Sequence, residues 1–253
     1  MTIFINQNFE GTGFDNGETW ITYGGDTGAA NPDYTTNPLL GSQSLYMKDD
    51  NSEGTYAVNI YSDGTGYNAE YGFFRLKMLD FAPANAGKEI MHTYKTSGGA
   101  PQEVHELIFH KVNAAGNAAV LRVVAGGGVI GDGSFTISLN TVYYVWFYFS
   151  RDSSNRSSGW VKISDEQSIP ASNDIEWTNV KAGFSYRGTG AIGFTTEHSQ
   201  GYSYVVDQVI VGDSAIGNDP FGGASSTPLF RRRLNILLRL CLSVLTLFGR
   251  LFR

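Results

Sequence analysis

Two histidines sit five residues apart in His105-Glu106-Leu107-Ile108-Phe109-His110. A zinc-hydrolase pair stands at i and i+4, so that one helical face presents both imidazoles to the ion. Here the spacing is one residue too long and the run alternates like a strand, which turns the two rings to opposite faces. The pair is no zinc motif. His105 is left with two readings, a catalytic base on a sheet face or a hydrogen-bonded structural histidine. Gly126-Gly127-Gly128-Val129-Ile130-Gly131 matches G-x-G-x-x-G, but a dinucleotide site needs a helix next, with phosphate at its N-terminus. Gly133–Leu139 alternates as a strand, so the glycines read as a hairpin. No G-x-S-x-G elbow occurs. One Cys excludes a disulfide framework and any Cys-based zinc site, and four His without a His/Cys cluster argue against a transition-metal enzyme. Asn155-Arg156-Ser157 is a formal glycosylation sequon that reads as coincidental without an export signal.

The elements that must position any such group are strands. Period-2 alternation recurs along the chain, and no helical stripe precedes residue 229. Candidate strands include Glu18–Tyr23, Ser44–Lys48, Thr55–Tyr61, Glu70–Leu79, Glu103–Val112, Ala118–Ala125, Val142–Ser150, Ala182–Arg187, Ala191–Thr196 and Tyr202–Val211. Turn signals such as Asn16-Gly17 and Gly131-Asp132-Gly133 separate them. About a dozen strands without interleaved helices predict an antiparallel sandwich or barrel. In one strand Tyr143, Val145, Phe147 and Phe149 suit a core, while Tyr144, Trp146, Tyr148 and Ser150 suit a half-wet face. Phe74, Leu76 and Met78 likewise oppose Phe73, Arg75 and Lys77. With 253 residues, 42% of them hydrophobic, the chain fills a sizeable core.

Charge divides the chain. The formal net charge is −6, yet residues 229–253 hold six Arg and no acidic residue, leaving residues 1–228 at −12. So acidic a body is not a nucleic-acid binder, since phosphate contacts need Lys and Arg. The expected domains are a sandwich over residues 1–221, a flexible linker over 222–228, and a basic amphipathic helix over 229–253. In that helix Arg232, Arg239, Arg250 and Arg253 fall on one narrow polar stripe, after the triplet Arg231-Arg232-Arg233. Leu237, Leu240 and Leu247 belong to its broad apolar surface. Such a helix wants burial on several sides, in a bundle of copies or a protein socket, with a membrane as the alternative. Met1–Asn6 lacks the parts of a secretory signal and reads as a first strand.

Asn8-Phe9-Glu10-Gly11, with Phe14-Asp15-Asn16-Gly17 and Trp20, resembles the opening of concanavalin A-like (laminin-G-like) jelly rolls and related carbohydrate-binding modules. Tyr204-Val205-Val206-Asp207-Gln208-Val209 resembles their closing strand. The resemblance spans about residues 3–212 and implies an all-β, two-sheet antiparallel jelly-roll sandwich, its first and last strands side by side. It implies one structural Ca2+ held by Glu10 and Asp207; the residues alone allow instead two carboxylates solvated or hydrogen-bonded in turns. It also implies a glycan platform of Tyr144, Trp146 and Tyr148, which packing between sheets or subunits would account for equally. Because such domains recur in phage and marine-virus structural proteins, the resemblance implies a non-enzymatic, virion-type decoration or glycan-binding protein. Its partners would be other shell subunits or further copies of itself, joined through the C-terminal helix, and a polysaccharide. Its place would be a virion or extracellular surface, without a secretory signal. The E-x-D-x-x-E, R-x-E-L and Q-I-H signatures of glucanases and alginate lyases are absent. The expectation is therefore no catalysis. The alternatives are a polysaccharide lyase using His105, Tyr144 and a nearby Arg, or a membrane-anchored carbohydrate-binding module.

Overall fold

The computed structural model describes residues 2–10, 20–23, 30–36, 38–48, 55–61, 67–81, 88–95, 102–110, 112–126, 128–152, 154–181, 190–196 and 201–217. Among them fifteen strands form two antiparallel sheets. The eight-stranded sheet runs β13 (Ile175–Lys181), β12 (Arg156–Ser164), β11 (Tyr143–Arg151), β6 (Ala69–Asp80), β15 (Ser203–Gly212), β4 (Ser44–Lys48), β3 (Ala30–Tyr34), with β1 (Ile3–Gln7) also on β15. The seven-stranded sheet runs β10 (Gly128–Ser138), β9 (Ala118–Ala125), β8 (Gln102–His110), β7 (Lys88–Lys95), β14 (Ala191–Thr196), β5 (Thr55–Ile60), β2 (Trp20–Tyr23). The first and last strands are neighbours, with Ile5 opposite Val211 and Gln7 opposite Val209.

Alternation places the core. Tyr143, Val145, Phe147 and Phe149 of β11 point between the sheets with Phe74, Leu76 and Met78 of β6. They meet Leu107 and Phe109 of β8 and Phe194 of β14, whose ring lies 5.3 Å from that of Phe74. Each such buried side chain contributes about 1.5–3 kcal/mol relative to exposure. Gly126 takes a left-handed φ of 64° and Gly128 pairs with Ala125, so the glycine run turns a hairpin from β9 into β10.

Strands β3, β7 and β13 are not among the predicted ones; β13 alternates, with Ile175 and Trp177 buried and Glu176 and Thr178 exposed, while β3 and β7 escape the pattern. Pro32 marks β3 as an edge strand. In β7 the register shifts between Glu89 and Met91, and a bulge breaks the period of two on which recognition rests. The predicted strand Ala182–Arg187 lies outside the described residues. The chain divides into compact units Met1–Asn218 and Asp219–Arg253. The linker at 222–228 and the predicted helix, with Arg231, Arg232, Arg233, Arg239, Arg250, Arg253, Leu237, Leu240 and Leu247, lie outside the described residues.

Candidate active site

His105 faces inward. It is 1% exposed, its Nδ1 lies 3.1 Å from Thr93 Oγ1 and its Nε2 2.8 Å from Ser157 Oγ. Its ring packs on Phe149 and Trp177. Burial, with Arg151 adding repulsion, lowers its pKa to about 3. A neutral imidazole sealed between the sheets meets no substrate, so the structural reading of His105 holds. Tyr144 belongs to the outer face of the other sheet, and the lyase constellation of His105 with Tyr144 is not assembled.

The predicted glycan platform is split by burial. Trp146 is 1% exposed and donates through Nε1 to the Gly217 carbonyl at 3.0 Å, because the chain after β15 returns over this face. Tyr144 is also buried, its hydroxyl accepting from Gln167 Nε2 and its ring lying under the Arg75 guanidinium at 5.1 Å. Only Tyr148 is partly open, stacked on Tyr71 at 4.6 Å and beside Trp160 at 6.1 Å. The three residues do not form one open platform.

Glu10 and Asp207 grip one loop from two ends. Glu10 accepts from the Ser42 backbone N–H at 2.8 Å, the Ser42 hydroxyl at 2.8 Å and the Gln43 N–H at 3.3 Å. Gly41, at φ 69°, leaves room for that carboxylate, since a Cβ there would collide with Glu10 Oε1. Asp207 accepts from the Leu40 N–H at 3.1 Å, the Ser44 hydroxyl at 2.8 Å and the Gln208 N–H at 2.7 Å. Burial outweighs these bonds and the nearby Arg75, raising the Asp207 carboxyl to about pKa 7. N–H and O–H donors occupy all four carboxylate oxygens. Each carboxylate is thus tied by hydrogen bonds to the same loop.

The chemistry gathers instead on the outer face of the seven-stranded sheet. In antiparallel pairs, opposed residues share a face. His92 of β7 is opposite Glu106 of β8 and Gly193 of β14. In a regular strand Glu89 and His92, three apart, would face opposite ways; the β7 bulge returns Glu89 to the face of His92. His92 Nε2 lies 3.2 Å from Glu89 Oε2, and ligand atoms of Glu89, His92 and Glu106 all fall within 4.8 Å of one another. His92 is buried while both carboxylates are partly open. The imidazole is flanked by Tyr94, ring centres 5.5 Å apart, and Tyr56, at 6.4 Å. Gly193 makes room for Tyr94, since a Cβ there would stand 2.8 Å from its ring. The next cross-strand row runs Glu89, Ile108, Arg122, Asp132. Arg122 forms a bidentate ion pair with Asp132, at 2.6 and 3.2 Å. At about 4.8 Å per strand, Arg122 stands roughly 10 Å from the Glu89 row position. In the sequence, Glu106 stands out only as part of the His105–His110 run. Glu89 and His92 carried no local signal.

No family model and no curated protein matches the chain. Solved structures do. The endo-β-1,4-glucuronan lyase from the fungus Trichoderma reesei superposes with a TM-score of 0.50 at 13% identity, over 84% of this chain and 96% of that one. The cellulose-induced protein Cip1 gives 0.54 at 13% identity, over 84% and 99%. The carbohydrate recognition domain of Emp47p gives 0.50 at 9% identity, over 82% and 93%. At these identities the likeness shows the fold, a sandwich shared with carbohydrate-active and carbohydrate-binding proteins. It corrects the expectation of a non-enzymatic, virion-type structural protein, which had rested on the fold's recurrence in viral particles and on absent motifs. A polysaccharide lyase stands among these fold neighbours.

Proposed function

We propose that this chain is a polysaccharide-active enzyme that cleaves a uronate-containing glycan by β-elimination on the outer face of the seven-stranded sheet. The observation that carries this reading is the Glu89–His92–Glu106 cluster with two tyrosines beside it, on a sandwich of the kind the glucuronan lyase uses. Elimination removes the proton α to the uronate carboxylate and expels the 4-linked sugar oxygen. It needs the carboxylate's charge neutralised, a group to take the proton and a group to return one. The ligand atoms of Glu89, His92 and Glu106 lie within 4.8 Å of one another, close enough to share one cation. The cluster is thus the charge-handling part of the site. Tyr56, partly open on β5 beside the imidazole, is placed to move the proton.

The test is a panel of glucuronan, alginate and pectate digested by the full chain, read by ultraviolet absorbance of the unsaturated product. Cleavage is expected on at least one polymer, falling by about 10²–10⁴ in Tyr56→Phe, the range of a lost proton-transfer group. Reducing ends without unsaturated product, or no cleavage of any of the three, would overturn the reading.

A further inference from the structure

We propose that Glu89, His92 and Glu106 form a binding site for a divalent transition-metal ion. The site stands on its own geometry; its use, neutralising the uronate carboxylate, rests on the elimination proposed above.

The donor set is one imidazole nitrogen and two carboxylates. Imidazole suits zinc and its neighbours and carboxylate suits manganese, whereas calcium and magnesium sites are built of oxygen alone. The distances agree. Ligands about 2.0–2.1 Å from a tetrahedral ion stand roughly 3.3 Å from one another, and His92 Nε2 and Glu89 Oε2 are 3.2 Å apart. Glu106 lies within 4.8 Å of both, a gap that small torsions of a partly open glutamate close. The supports are rigid: His92 and Glu106 are directly opposed across paired strands, and the bulge fixes Glu89 beside them. His92 is buried, while the two glutamates open to the surface. Three protein ligands leave positions for outside oxygens, the pattern of a metal that acts on a substrate. A bound dication turns a patch that repels a uronate into one that binds its carboxylate and polarises it for loss of the α-proton.

The experiment is isothermal titration of chelator-stripped full chain with Zn2+ and Mn2+, and with Ca2+ as the oxygen-preferring control. One-to-one binding of Zn2+ or Mn2+ is expected, tighter than Ca2+ by at least about tenfold. Glu89→Gln and Glu106→Gln should each weaken it by roughly tenfold or more. Both glutamates are partly open, so these variants keep the fold, verified by circular dichroism; a Co2+ absorption spectrum of the wild type reports the imidazole ligand directly. Absence of one-to-one binding, preference for Ca2+, or binding unchanged in both glutamine variants would overturn the site. The two proposals fail separately. Metal bound without cleavage of any polymer removes the elimination and leaves the site. Failure of the titration to show one-to-one binding, with cleavage retained, removes the site and leaves the elimination.

Discussion

Replacing His105 by glutamine separates a structural histidine from a catalytic one. In the folded chain the ring lies between two hydroxyls, each able to donate or accept, with Arg151 opposing its protonation. Its pKa falls from 6.5 to about 3, so below pH 6.5 the unfolded chain takes up a proton that the folded chain refuses. Stability contributed by the neutral ring is therefore full above that pH and drains away as pH falls toward 3. At 1.36 kcal/mol per pH unit, the loss between pH 8 and pH 5 is about 2 kcal/mol. His105→Gln removes the titrating group. It lowers stability at pH 8 by about 1–3 kcal/mol through imperfect hydrogen bonds, and this difference from wild type shrinks by about 2 kcal/mol at pH 5. Urea unfolding of both proteins at pH 8, 7, 6 and 5 measures it. Polymer cleavage by the folded variant should remain within a few-fold of wild type. A wild-type-to-variant difference that stays constant with pH would refute the buried, neutral ring; cleavage lost in a well-folded variant would return His105 to the chemistry.

Asp207 titrates in the opposite sense. Its raised carboxyl, about pKa 7, keeps a proton that the unfolded chain releases near pH 4, so its contribution declines as pH rises from about 4 to 7. Asp207→Asn should flatten that decline in the same unfolding series, and an unchanged slope would contradict it. Glu10→Gln, which weakens three bonds to Ser42 and Gln43, should lower stability by about 1–3 kcal/mol equally in Ca2+ and in EGTA; a loss confined to Ca2+ would restore a cation at Glu10. Deleting residues 229–253 should abolish self-association of the full chain in sedimentation while leaving the sandwich folded, and an unchanged oligomeric state would show that the basic segment does not join copies.

The sequence by itself determined the fold class and the inner faces. Alternation in β11 and β6 marks which side chains enter the core, because a half-buried strand must place apolar residues every second position. The hairpin of Gly126 and the adjacency of opening and closing strands were legible too, one from turn chemistry and one from a resemblance. Local pattern also said that His105 and His110 face opposite ways, but not which way is inside. Only the packing of two sheets decided that His105 is sealed and that His92, Glu89 and Glu106 stand outside. Trp146 shows the same limit: its face was readable, while its cover, the returning chain at Gly217, lies 71 residues away. The candidate site stayed hidden for a definite reason. A one-residue bulge in β7 erased the alternation that would have revealed the strand. The same bulge turned Glu89 onto the face of His92, and cross-strand register brought in Glu106. Bulge and register are relations between strands, set by hydrogen bonding across the sheet, and neither is written in the order of residues along one strand.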